Sequence, residues 1–441
     1  MHHPPLLDML IISELPLWPL DRGFRVHGVN MAKALRGLGM RVGLSTMTEP
    51  EQKMPGELEQ MHIAWPTADA VDTKRFGLGW SGRLMGLRCK LAEHQDLGGP
   101  QMAGLLTLVE RTRPAAVIAV GQHGPMLLRG LAWAYPNLPR LWYAADEPVS
   151  FQLSMLRREG LRGLRKRARL AAVFGLMQMC FNRGNIAHRL TSAIGVSPGD
   201  TRRLGMVGGC KALTIRNGVD TDYYRPDNCH RIPRSCVFWG DLAFEPNVDA
   251  ATWFAKNVWQ QLVYRWPDAS WTIIGRRPCQ AVRELADLPG VELIPDVQDL
   301  RPQVRASSAV VLPMRAGHGI KNKLLEAAAM GMPILASPRA VNGLQFGEGR
   351  PPMMVCRGAS DWAESLNSVW HNPAQAGAMG GLARQWVMQY HAWSHAAQQL
   401  SSHLQSIAPD QPIYVPSGER LLSRLETQQS TEQPSVRREA A

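Results

Sequence analysis

The sequence is poor in the features that would mark a secreted, metal-bound or membrane-spanning protein. Its 441 residues hold seven cysteines, Cys89, Cys180, Cys210, Cys229, Cys236, Cys279 and Cys356, with neither CxxC spacing nor a paired framework. An odd, dispersed set suits a reducing compartment, so a cytoplasmic protein is expected. No zinc-like cluster of ligands is visible, and His2-His3 stands alone, so no metal is expected. The longest apolar run, Leu170 to Phe181, contains Gln178 and is too short to cross a bilayer. The N-terminal stretch lacks a basic region and is broken by Asp8, Glu14 and Pro16, so it does not read as a signal peptide. A basic stripe with interleaved aromatics is also missing, which argues against nucleic acid as a partner.

What is present is the composition of a folded chain, 45% hydrophobic and 20% charged. At this length one core does not suffice, and two domains are expected. The net charge is +12, and half of it sits in Phe151 to Leu170. There Arg157, Arg158, Arg162, Arg165, Lys166, Arg167 and Arg169 face a single acid, Glu159. Leu153, Leu156, Leu161, Leu164 and Ala168 fall near helical spacing. A basic, partly amphipathic helix of this kind fits an anionic membrane surface, with Arg157, Arg162, Arg165, Lys166 and Arg169 as contacts. A solvated charged face beside a buried helix explains the segment equally well.

Apolar runs alternate with helical patterns, twice over, which is the signature of parallel sheets covered by helices. In the first half, strands are expected at Asp8–Ser13, Arg41–Thr46, Ala115–Val120, Arg140–Ala144, Ser192–Val196 and Ala212–Ile215. Helices are expected at Arg25–Leu38 and through Phe151 to Arg189. The second half restarts with strands at Cys236–Trp239, Ser270–Ile274, Val291–Ile294 and Ala309–Leu312. Its helices are expected at Asn247–Tyr264, Gln280–Leu288, Leu300–Ala306 and Ile320–Met330, with more from Ser360 to Gln405. The expected division is a first domain over 1–221, a linker over 222–234 with Pro226 and Pro233, and a second domain over 235–390. A helix over 391–407 is expected to return to the first domain, and a polar, disordered tail is expected over 408–441. In tandem open α/β domains, ligands bind at the carboxyl ends of strands, in the cleft between the domains. Gly23, Gly121, Gly240, Gly275 and Gly317 stand at or near those ends, either as turn glycines or as places where backbone approaches a ligand.

The segment GHGIKNKLLEAAAMGMP, Gly317 to Pro333, carries the strongest chemistry. Gly317 and Gly319 lead into a helix with Lys323 on its first turns and Glu326 near its middle. A flexible loop opening onto a helix N-terminus favours a phosphate, through free N–H groups and the helix dipole. Lys323 adds a cation, and Glu326 offers an acceptor for sugar hydroxyls. A plain ion pair between the two on a solvated helix is the alternative.

Three further segments accompany it. Arg216 to Asp220, followed by Tyr224-Arg225-Pro226, resembles the NGVD segment of retaining GT-B glycosyltransferases of the family 4 type. Phe238 to Phe254, FWGDLAFEPNVDAATWF, resembles the opening of their second domain. Asp296 to Ser337 resembles their donor-site region, and PNVDAATWF with GIKNKLLEA resembles the subgroup associated with exopolysaccharide and PEP-CTERM/exosortase systems. The resemblance is dense in the second half and sparse in the first. It implies a GT-B fold, two Rossmann-like domains facing across a cleft. It also implies retaining transfer from a nucleotide-diphosphate sugar to a lipid-linked or polysaccharide acceptor, at the inner face of the membrane, with no metal and no cofactor beyond the donor.

On this resemblance Glu326 matches the second glutamate of an E-x7-E motif, which contacts the donor ribose. The first glutamate is replaced by His318. Lys323 and Arg315 become the cations for the leaving diphosphate, with N–H donors from His318, Gly319 and Ile320. The usual Arg and Lys after the second domain's first strand are absent, and Asp241 to Glu245 is acidic instead. Gly23 lies in a counterpart of the family's glycine loop. Gly121 to Pro125 resembles its H-G-P loop, which places His123 at the reacting sugar. Asp146, at a strand end, is a weaker candidate for orienting the acceptor, or a helix N-cap. The His318 replacement also admits a different class of function, a catalytically degenerate nucleotide-sugar binder that scaffolds a surface-glycan assembly complex.

Overall fold

The computed structural model describes residues 6–20, 23–48, 50, 52–66, 99–121, 124–144, 168, 190–208, 210–227, 229–317, 319–348 and 351–407. The first sheet contains β1 (Met9–Ser13), β2 (Val42–Thr46), β3 (Val117–Val120), β4 (Arg140–Ala144), β5 (Ser192–Gly195) and β6 (Lys211–Thr214). Its order is β2-β1-β3-β4-β5-β6, and every pairing is parallel. Side chains alternate between two apolar layers, as the two-residue period of a strand requires. Met9, Ile11, Ile118, Leu141 and Tyr143 face one layer, and Leu10, Ile12, Val117, Ala119 and Trp142 the other. Coverage on both faces is why these strands read as unbroken apolar runs.

The second sheet contains β7 (Ile232–Asp241), β8 (Ser270–Arg276), β9 (Val291–Pro295), β10 (Ser307–Leu312), β11 (Ile334–Ala336) and β12 (Met354–Val355). Its order is β12-β11-β10-β7-β8-β9, again with every pairing parallel. Strand β7 starts at Ile232, inside the segment expected to be linker. Its first residues, Ile232 and Pro233, are exposed, so no apolar run announces them. The expected Asn247–Tyr264 helix runs from Glu245 to Arg265, with a π-helical stretch over Ala255–Trp259. Trp259 and Trp271 are buried in the second domain's core.

The chain crosses back at His391. Val219 N donates to His391 O at 2.8 Å, and Val219 bridges Ala392. A side chain at Gly218 would meet Trp393 N at 2.4 Å, so this crossing needs a glycine. The following helix, Trp393–Ile407, packs on the Gly23–Gly37 helix, and Trp393, Ala397, Leu400 and Leu404 join the first domain's core. Among the described residues, no helix is long and apolar enough to cross a membrane.

Candidate functional site

In each sheet the strand order reverses once, between β1 and β3 and between β7 and β10. Such a switch point splays the loops beyond the strand ends and leaves a crevice for ligand. In the second domain the crevice lies beyond Trp239-Gly240-Asp241 on one side and Leu312 to Lys323 on the other.

Gly317 and Gly319 have φ of 98° and 70°, a left-handed conformation that glycine adopts without strain. They turn the chain from β10 into the Asn322–Ala329 helix, whose N-cap residue, Lys321, makes no side-chain cap. The Lys321 ammonium donates back to Gly319 O at 3.1 Å. The sequence placed the helix start at Ile320, but Ile320 lies before the helix and is buried, 7% exposed.

Lys323 projects across the switch point. Its Nζ donates to Asn247 Oδ1 at 2.7 Å and lies 4.5 Å from the centre of the Phe238 ring. Protein surrounds the ammonium, and this desolvation holds its pKa down at about 7, with Lys321 adding to the fall and Glu326 and Asp241 opposing it. One turn on, Glu326 accepts a hydrogen bond from Trp239 Nε1 at 3.0 Å and another from the Tyr224 hydroxyl. Burial raises the Glu326 pKa, and those two donors with Lys323 oppose the rise. Trp239, Asn247 and Tyr224 are absent from the sequence's list of candidates. A tryptophan at the end of an apolar strand reads as core, and an asparagine in a helix's first turn reads as local hydrogen bonding.

Arg315, expected to serve the diphosphate, is held from the Glu245–Phe254 helix. Its guanidinium pairs with Asp249 at 3.3 Å and lies 5.8 Å from the Trp253 ring centre. The Glu245–Phe254 helix thus holds two of the three cations of the glycine loop, Lys323 through Asn247 and Arg315 through Asp249. The acidic turn after β7 is used internally as well: Asp241 pairs with Arg277, and its carbonyl accepts from Asn247 Nδ2 at 2.9 Å.

The two cleft glycines of the second sheet have reasons of their own. A Cβ at Gly275 would fall 1.9 Å from Gly240 O, so the close approach of the β7 and β8 backbones requires a glycine there. A Cβ at Gly240 would fall 2.7 Å from Asn247 Nδ2 and 2.9 Å from Lys323 Nζ, so this glycine makes room for their contact.

From the first domain comes His27, which the sequence reading also missed. It lies on the Gly23–Gly37 helix, 3% exposed, and hydrogen-bonds Asn322, the first residue of the donor-side helix. Asn322 Oδ1 also accepts from Asn217 Nδ2 at 2.8 Å. His391 Nδ1 bonds Asn217 O at 3.0 Å, and Gln345 N bonds its Nε2 at 3.3 Å. Burial pushes both histidines down to about 4, so they are neutral at pH 7. Arg216 ties the same seam to the second domain, donating to Gly343 O at 3.3 Å and to Gln345 Oε1 at 3.0 Å.

Of the other candidates, Gly23 opens the first helix and is exposed. His123, Asp146, His318 and the basic positions Arg157, Arg162, Arg165, Lys166 and Arg169 lie outside the described residues. Among the described residues no group of three His, Cys, Asp or Glu side chains is placed to hold a metal ion.

Residues 233–372 match the family model described as glycosyl transferases group 1. No curated protein matches the sequence. The fold is similar to solved structures across almost the whole chain. HepE from Anabaena, solved in complex with UDP, has a TM-score of 0.59 and 14% identity, covering 91% of this chain and 100% of its own. Sucrose-phosphate synthase from Thermosynechococcus elongatus has a TM-score of 0.62 and 12% identity, with 91% and 99% covered. A glycosyltransferase from Rickettsia africae has a TM-score of 0.61 and 13% identity, again with 91% and 99% covered. The chain therefore has the GT-B fold, two Rossmann-like domains, and the match to the glycosyl transferases group 1 model lies in the second of them.

Proposed function

We propose that this protein is a retaining, metal-independent glycosyltransferase. It moves a sugar from a nucleotide-diphosphate donor to a lipid-linked or polysaccharide acceptor in exopolysaccharide synthesis, at the cytoplasmic face of a membrane. The observation that carries the reading is the cluster of Lys323, Asn247, Glu326 and Trp239 at the switch point of the domain that matches the glycosyltransferase family. HepE, of similar fold, has been solved with UDP and with UDP-glucose.

The donor diphosphate sits at the glycine loop, where Lys323 and the N-terminal end of its helix stabilise the charge that develops on the leaving group. Glu326 binds the donor ribose. The acceptor hydroxyl attacks the anomeric carbon from the face that the diphosphate leaves, and its proton passes to the departing phosphate oxygen. His123 holds hydroxyls of the reacting sugar, and Asp146 orients the acceptor. The basic segment around Arg157 to Arg169 docks the enzyme on anionic lipid.

The test is release of free nucleoside diphosphate from UDP-, GDP- and ADP-sugars, with and without membrane extract. Turnover of one donor that rises with extract is expected. Glu326→Ala should weaken binding of that donor about tenfold, the loss of a charge-assisted hydrogen bond. Tight nucleotide binding without turnover on any donor would favour instead a degenerate nucleotide-sugar binder, the reading that His318 keeps in view.

A further inference from the structure

The Glu245–Phe254 helix holds two cations in two chemically different ways. Arg315 meets a carboxylate, Asp249. Lys323 meets a neutral amide, Asn247. The amide is oriented from behind, because Asn247 Nδ2 donates to Asp241 O at 2.9 Å and so turns Oδ1 towards the ammonium. Asn247 is 6% exposed, and its approach to Lys323 exists only because position 240 has no side chain. The two carboxylates that act on Lys323 are engaged elsewhere, Asp241 by Arg277 and Glu326 by Trp239 and Tyr224.

We infer that Asn247 is a positioning residue that fixes the Lys323 ammonium at the switch point through a neutral acceptor, so that the lysine's charge is left for the donor's diphosphate. This rests on the reading of the cleft as a nucleotide-diphosphate site. A carboxylate at 247 would hold the lysine equally well but neutralise it. An apolar side chain would leave a buried ammonium without its acceptor. The amide gives geometry without compensation. Burial then makes the charge conditional: Lys323 sits at about 7, with Glu326 and Asp241 pulling upward and Lys321 downward, and an arriving diphosphate favours the protonated form.

The experiment uses the full chain with Asn247→Asp, an isosteric change, and Asn247→Leu. Two readouts separate the inference from the donor reading. The first is competitive acetylation of Lys323 across pH, followed by mass spectrometry, without nucleotide. The wild-type midpoint is expected near 7. Asn247→Asp should raise it by about one pH unit or more, and Asn247→Leu should lower it. The second is affinity for UDP, GDP and ADP between pH 7 and 9, where the nucleotide phosphates are already ionised. Wild-type affinity should fall as pH rises, and Asn247→Asp should bind about tenfold more weakly at pH 7, with its own fall moved to higher pH. A Lys323 midpoint unmoved in both variants overturns the inference, and so does a diphosphate affinity in Asn247→Asp equal to wild type. If the midpoints shift as expected and the wild type binds none of the three diphosphates, the hold of Asn247 on Lys323 stands and the donor reading falls.

Discussion

Asn322 and Lys323 are neighbours in sequence at the start of one short helix, yet they answer to different domains. Asn322 is bonded by His27 of the first domain and by Asn217 at the junction. Lys323 is bonded by Asn247 of the second. The first cluster is buried: its histidines are 3% and 1% exposed and neutral. The second faces the crevice and is poised between charged and neutral. The contrast separates two tasks. Neutral, buried polar groups fix how the helix meets the other domain, while on the proposed reading the desolvated Lys323 is left for an incoming anion. A charge in the seam would have to be compensated inside the protein, whereas a charge at the crevice is compensated by the ligand.

Acid should weaken the seam. Both histidines have folded values near 4, below the unfolded value of 6.5. Their contribution is therefore fully present above pH 6.5 and is lost as pH falls from 6.5 towards 4, where the unfolded chain binds the extra protons. The size is on the order of 3 kcal/mol for each, from a shift of two to three units. Urea unfolding at pH 7 and at pH 4.5 measures it, with a His27→Asn, His391→Gln double variant as reference. The wild type should lose clearly more stability across that interval than the variant, because titrating carboxylates are common to both. Equal losses would mean that the seam histidines are solvated and the contrast is false.

The next effect lies in the second sheet. Gly275→Ala places a Cβ 1.9 Å from the Gly240 carbonyl, and β7 and β8 must part at the register pair Gly240–Gly275. Overpacking of this kind costs about 3 kcal/mol. It should lower the urea midpoint reported by the fluorescence of buried Trp259 and Trp271, and it should disturb Lys323, which lies against Gly240. An unchanged midpoint with weakened nucleotide binding would return Gly275 to the role the sequence suggested, backbone left bare for a ligand.

The same contrast explains what was legible in the sequence. The strands were, because both faces of each sheet are covered and most strands are apolar runs ending at or near glycine or a polar turn. The exposed start of β7 at Ile232 was not. Lys323 and Glu326 were conspicuous because their spacing from Gly317 and Gly319 is local. Their partners were not, because Asn247 and Trp239 reach them only through the parallel pairing of β7 with β10, which brings residues 70 to 90 positions apart side by side. His27 was hidden for a related reason. On an amphipathic helix it looks like any core histidine, and its partner belongs to the other domain.

The smallest expected effect distinguishes Arg315 from Lys323, the two cations of the glycine loop that the Glu245–Phe254 helix holds. Arg315 has 42% of its side chain exposed, and its guanidinium is turned to Asp249 and Trp253. Solvent screens such a pair, so Arg315→Gln should change stability by less than about 1 kcal/mol. If its charge is already compensated, diphosphate affinity should fall no more than about threefold. Lys323→Met should reduce affinity by tenfold or more, since it removes from a desolvated position a charge whose hydrogen-bond partner is a neutral amide. Titration of UDP, GDP and ADP into both variants at pH 7 compares them directly. An Arg315→Gln loss as large as that of Lys323→Met would show that Asp249 releases the arginine when the anion arrives. The cleft would then hold its diphosphate with two cations, and the division of labour between Asn247 and Asp249 would be one of timing instead of charge.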